Sequence, residues 1–80
     1  MSDVLVTVQE ILRDILNQPT LELTAMTTAQ EVPGWDSLAH INLVAAVEEE
    51  FRIRFAMAEL QKLQNVGEMV ALIERKAGRN

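Results

Sequence analysis

The sequence predicts an all-α fold: a small four-helix bundle with a long loop between its first and second helices and a short third helix. Three observations carry that expectation. Apolar residues recur at helical spacing in segments near each end and in the middle of the chain. Only Arg52 to Phe55 has strand character, and no second strand candidate exists to pair with it. The breakers Pro19, Pro33, Gly34 and Gly78 fall between the periodic segments, where they act as punctuation.

The first helix is expected to open with Asp3 as its cap. Val4, Val8, Ile11, Leu12 and Ile15 form one apolar face, and Asn17, Gln18 and Pro19 supply the stop. From Asn17 to Asp36 no period is sustained. A loop of that length in a small domain needs either a role or anchors, and Leu21, Leu23, Met26 and Val32 are the candidate anchors. A second helix runs from about Ser37 to Phe51, with Leu38, Ile41, Val44, Val47 or Ala45, and Phe51 expected inward. Ala39, His40, Asn42, Ala46 and the glutamates are expected outward. Arg52 to Phe55 reads as a connector. A short third helix spans about Met57 to Leu63, and Asn65 with Glu68 resembles a capping box opening a last helix that buries Val66, Met69, Val70 and Ile73. Lys76 suits the end of that helix and Gly78 terminates it.

At 80 residues and 9.0 kDa the chain is one domain, residues 1–80, with a modest core. It contains no cysteine and a single histidine, so it offers no disulfide, no thiol nucleophile and no protein-only zinc site. The net charge of -5 is unevenly spread. Residues 1–50 carry nine acidic side chains against Arg13, a net -8, while residues 51–80 carry six basic against three acidic, a net +3. The acidic front half argues against general nucleic-acid binding and favours partners with basic docking surfaces. Asp3 stands where a signal peptide would want basic residues, and no run approaches a membrane span, so a cytoplasmic chain is expected.

Chemistry concentrates in VPGWDSLAHINL, Val32 to Leu43, a turn followed at once by a helix. Ser37 as a self-sufficient nucleophile would need a base, an orienting acid and oxyanion donors. Only His40 is near in sequence, and a one-turn pair on a helix surface excludes no water. Capping is the ordinary role of Asp-Ser at a helix start. The same position also tolerates an anion, because free N–H groups and the helix dipole meet there, so a serine carrying a phosphodiester would sit well.

The stretch WDSLAHINLVAAVEEEF closely resembles the second helix of acyl carrier proteins, and the similarity extends across the chain: an amphipathic helix, a long loop, the DSL helix, a short helix and a last one. The resemblance implies that Ser37 receives 4′-phosphopantetheine from coenzyme A, and that Asp36 and Leu38 belong to the surface read by the phosphopantetheinyl transferase. It also implies that a loading ligase or acyltransferase and downstream enzymes exchange acyl thioesters on that arm, the protein itself catalysing nothing. The arm then supplies the thiol that the chain lacks. A partner surface is expected at Ala39, His40, Asn42, Leu43, Ala46, Glu48, Glu49 and Met57, and Ala45, Ala46 and Ala71 suggest room for an acyl chain between helices.

The sequence departs from many fatty-acid carriers in placing Ala39, His40 and Asn42, not acidic residues, just after DSL. That points to a specialised, monomeric, stand-alone carrier for lipid, polyketide or related biosynthesis. WDSL also resembles carriers of amino acids such as D-alanine, which leaves an aminoacyl cargo open. A helical interaction module in which Ser37 only caps is the competing reading. Trp35 is expected to pin the loop to the bundle, and His40 to be a solvated surface residue.

Overall fold

The computed structural model describes residues 3–78. Four helices fill it: α1 (Asp3–Leu16), α2 (Ser37–Phe51), α3 (Met57–Gln61) and α4 (Val66–Lys76), with a single 3₁₀ turn, Ala29–Glu31, inside the long loop. Among the described residues there is no strand, and residues 53–56 are an extended connector as expected.

Helix α1 buries Val4, Val8 and Leu12, a four-residue spacing that places one side chain per turn against the core. Asp3 lies within its first turn, where a negative charge suits the dipole, and so is not its cap; the cap position falls outside the described residues. The helix ends in a Schellman motif. Asn17 turns left-handed at φ 55°, while the Gln18 N–H donates to Arg13 O at 3.0 Å and the Asn17 N–H to Asp14 O at 3.3 Å. Helix α2 stops in the same way through Arg52 (φ 57°), with Ile53 N–H on Glu48 O at 3.1 Å.

The core joins those α1 residues to Leu43 and Val47 of α2 and to Val66, Met69, Val70 and Ile73 of α4. Leu23, Val32 and Ile53 complete it from the connections. Asn65 Oδ1 accepts from the Glu68 N–H at 2.9 Å, as the capping pattern predicts, although Glu68 reaches back one residue further than expected, to the Gln64 N–H at 2.8 Å. Short α3 buries no residue of its own. It is tied down by Leu63, which packs on the core, and by the Glu59–Lys76 ion pair at 2.9 Å. The Ala56 N–H, and then Lys76, hold the Glu59 carboxyl below the usual range.

Helix α2 turns Val44 and Val47 to the core and packs Phe51 against it, as expected, but its first half is rotated from the expected face. Ala39, Leu43, Val44 and Val47 are buried, whereas Leu38 and Ile41 are 68% and 63% exposed. Two apolar stripes run along this helix at equally helical spacing, and the one that contains the small Ala39 packs inward. Met26, expected to anchor the loop, is exposed, as are Ala45 and Ala71, while Ala46 is half-buried; Ala71 borders a space of about 430 Å³ that Glu59 and Leu63 line from the α3 side.

Candidate functional site

Polar side chains of α1, Gln18 just beyond it, and backbone groups of α4 shape the loop that leads to Ser37. Arg13 Nε donates to Leu21 O at 2.6 Å, Gln9 Oε1 accepts from the Leu23 N–H at 2.8 Å, and Gln18 Nε2 donates to Pro33 O at 2.7 Å. From the other side the first N–H groups of α4 use the loop as their cap. Val66 N–H donates to Thr27 O and Gly67 N–H to Ala25 O, both at 2.8 Å. The approach is so close that a Cβ on Gly67 would lie 2.8 Å from the Ala25 carbonyl oxygen, which makes glycine necessary there.

Val32 to Trp35 then form a turn closed by Trp35 N–H on Val32 O at 3.2 Å, with Pro33 at its first corner and Gly34 at φ 87° at its second. This is the arrangement of a type II turn. Asp36 follows as the α2 cap, its Oδ1 accepting from the Ala39 N–H at 2.9 Å. Ser37 is thereby the first residue of α2 and is exposed. With the Ala39 N–H taken by Asp36, the N–H groups of Ser37 and Leu38 remain beyond the reach of any intrahelical carbonyl. They offer positive potential to an anion on the Ser37 oxygen, which offsets the charge of the neighbouring Asp36.

Beside Ser37 lies an open groove of about 490 Å³, bounded by Ala29, Trp35, Asp36, His40 and Ile41. The Trp35 indole Nε1–H donates to His40 Nδ1 at 3.2 Å, with the two rings stacked at a centroid separation of 6.0 Å. Accepting that bond requires an unprotonated Nδ1. Burial lowers the His40 pKa in the same direction, towards neutral imidazole. His40 is therefore a half-buried partner of Trp35, not a solvated residue, and the nitrogen that accepts from Trp35 is not free to serve Ser37 as a base. Trp35 packs against the core, as expected of a loop anchor.

The expected partner surface divides. Asn42 and Glu49 are exposed, Met57 is 71% exposed, Ala46 is half-buried, and Ala39 and Leu43 are in the core at 6% and 0% exposure. Side chains buried to that degree offer nothing to a partner. Glu48 is engaged within the chain, its Oε2 accepting from the Phe55 N–H at 2.9 Å, so it braces the α2–α3 connection. Sequence reasoning missed Ile41, which it assigned to the core, and Ala29, hidden in the loop. The outward stripe of α2 is thus Leu38, Ile41, Asn42, Ala45 and Glu49.

An exposed serine hydroxyl on a helix N-terminus, with an apolar-walled groove beside it, fits a phosphodiester-linked arm: Ser37 would hold it and the N–H groups of the first turn would meet its phosphate. Among the described residues no group of three or more His, Asp or Glu side chains could hold a metal ion, and no helix is long and apolar enough to cross a membrane.

Residues 6–73 match the family model described as phosphopantetheine attachment site. The chain is 36% identical over 73 residues to an acyl carrier protein of Exiguobacterium sp., covering 91% of this chain and 92% of that relative. It is 35% identical over 78 residues to an acyl carrier protein of Phenylobacterium zucineum, covering 98% and 99% respectively. The solution NMR structure of holo acyl carrier protein from Geobacter metallireducens superimposes with a TM-score of 0.89 at 37% identity, over 98% of this chain and 90% of that one.

Proposed function

The chain belongs to the acyl carrier protein family, and from that premise we propose that Ser37 is the residue that holds its 4′-phosphopantetheine. As a member of that family the protein is a carrier and not a catalyst, it bears the arm covalently, and it is served by a phosphopantetheinyl transferase and acyl-processing enzymes. The arm supplies a terminal thiol that holds the cargo as a thioester. The observation that supports Ser37 is its exposure as the first residue of α2, behind the Asp36 cap and beside the groove.

Attachment forms the bond from Ser37 Oγ to phosphorus, breaks the pyrophosphate of coenzyme A and releases adenosine 3′,5′-bisphosphate, the serine proton passing to a base of the transferase. Asp36 keeps the helix start in place, and exposed Leu38 gives the transferase an apolar handle beside the reacting oxygen.

Partner enzymes read the outward stripe of α2, from Leu38 and Ile41 through Asn42 to Glu49, together with Met57 at the start of α3. The first turn of this helix carries no acidic residue, so recognition near Ser37 is apolar and only the far end is charged. This supports a specialised carrier with its own enzymes in lipid, polyketide or related biosynthesis. It works as a monomeric single domain, residues 1–80, in the cytoplasm. Intact mass after incubation with a phosphopantetheinyl transferase, Mg²⁺ and coenzyme A should rise by one phosphopantetheinyl group, and Ser37→Ala should abolish the gain while keeping the helical fold. A gain that persists in Ser37→Ala, or none in the folded unsubstituted protein, would overturn the assignment.

A further inference from the structure

The backbone around Ser37 is tied on both sides of Asp36. The Asp36 N–H donates to Gly34 O and the His40 N–H to Asp36 O, each at 2.9 Å, while Asp36 Oδ1 holds the Ala39 N–H. One side-chain bond spans the whole junction: Trp35 Nε1–H donates to His40 Nδ1, five residues away, with Ser37 on the chain between them. Its two ends belong to different parts of the fold. Trp35 closes the turn that begins at Val32 and packs on the core, whereas His40 stands on α2 about one turn beyond the serine. Both rings line the same groove as Ser37, so an enzyme that reaches the serine oxygen also meets them. We propose that His40 is a positioning residue for attachment of the arm: unprotonated, it fastens Trp35 and its turn to α2 and so fixes the place of Ser37, and protonation releases it. The inference rests on attachment at Ser37.

The chemistry of the pair makes this bond conditional. An indole N–H can only donate, and an imidazolium has two N–H donors and no acceptor, so the bond exists only while Nδ1 is free of a proton. The ring contact does not replace it, because centroids 6.0 Å apart lie at the outer limit of attraction between a cation and an aromatic face. The two backbone ties, by contrast, contain no titrating group. Burial favours the same unprotonated imidazole that the bond needs. Among the described residues, the loop, the α3–α4 connection and α4 bring no charged group to the spaces on either side of His40, and α2 brings one, Asp36. An imidazolium freed from Trp35 is drawn towards that carboxylate, the group that caps its own helix.

Release leaves the turn and α2 joined at this point by the backbone alone. The fraction of molecules that hold Ser37 in the fastened position then falls. A transferase that binds only that fraction shows the loss in KM and not in kcat. The expected size is that of one ordinary hydrogen bond, about fivefold.

The test begins with the unmodified chain, titrated by NMR through the imidazole range. The His40 ring, the Trp35 indole N–H and the Ser37 and Leu38 amides should move with one midpoint, below the ordinary 6.5. Trp35→Phe keeps a ring and loses the donor, and it should raise the proton affinity of His40 about fivefold, since the bond no longer favours the unprotonated form. At about pH 7.5, where imidazole is mostly neutral, the KM of a phosphopantetheinyl transferase for the carrier should rise about fivefold in Trp35→Phe and in His40→Leu, with kcat held. His40→Asn, whose Oδ1 keeps an acceptor where Nδ1 stood, should restore the parent KM. The two disrupting variants remove the bond from opposite ends, so either one that folds gives the reading. Intact mass at completion separates the two assignments: no added phosphopantetheinyl group on the folded parent overturns Ser37 and this inference together, whereas full addition with equal KM in all variants overturns this inference alone. A His40 midpoint unchanged in Trp35→Phe, or Ser37 and Leu38 amides that stay still while His40 titrates, would also overturn it.

Discussion

The inner and outer sides of α2 are built from much the same residue types, and they do opposite things. Inward, Ala39, Leu43, Val44 and Val47 pack against the rest of the core. Outward, Leu38 and Ile41 stand in solvent within four residues of Ser37, and charge appears only towards Glu49 and Glu50. An apolar side chain on this helix therefore either stabilises the fold or stands in solvent, where on our proposal it addresses a partner, and hydrophobicity alone does not distinguish the two.

The sharpest way to break that comparison is to truncate one residue from each stripe. Leu43→Ala should destabilise the protein by about 2–5 kcal/mol, a large share of what an 80-residue domain possesses. Urea denaturation would read this directly, and a loss below about 1 kcal/mol would contradict a core role. Leu38→Ala and Ile41→Ala should each stay within about 0.5 kcal/mol of the parent protein while slowing arm installation or cargo exchange.

Glu48 sharpens the comparison at the far end of the helix. Because its carboxylate accepts from the Phe55 N–H, Glu48→Ala should cost about 1 kcal/mol, or about 4–8 °C in melting temperature for a domain of this size. Glu49→Ala, at an exposed neighbour, should leave the melting temperature unchanged. Equal effects at the two positions would make Glu48 an ordinary surface charge.

The smallest effect concerns pH. The folded pKa of His40 is depressed by burial, so its neutral form is the one the fold favours. Its contribution to stability is complete above the unfolded value of about 6.5 and is lost as the pH falls from there through the lower folded value. Thermal unfolding at pH 7.5 and 5.5 should show a larger loss for the parent than for His40→Ala, and equal losses would remove His40 from the account.

Much of this was legible in the residues. In α1 and α4 the expected apolar stripe is the buried one, with Leu72 of α4 buried in addition, and Asp36 and Asn65 mark their helix starts through chemistry local to a few residues. Helix α2 carries two stripes, and choosing between them depends on which one fits against other helices, which is a property of packing and not of period. The loop was recognised as needing anchors, yet Met26 proved exposed and the polar ties from Gln9, Arg13 and Gln18 went unseen. Those ties join residues that periodicity never compares. The Trp35–His40 bond was hidden similarly: five residues separate the partners, across a helix start, where no regular spacing brings side chains together.

The seam between Ala25–Thr27 and Val66–Gly67 bears on the order of events during synthesis. The loop that presents Ser37 is completed by two hydrogen bonds to residues some forty positions later, in the last quarter of the sequence. Translation delivers residues one by one from the N-terminus, at about 5–20 per second. The serine therefore leaves the ribosome well before the segment that finishes its setting, and, on the proposed assignment of Ser37, a transferase that reads the folded loop meets its full substrate only once α4 has emerged and docked.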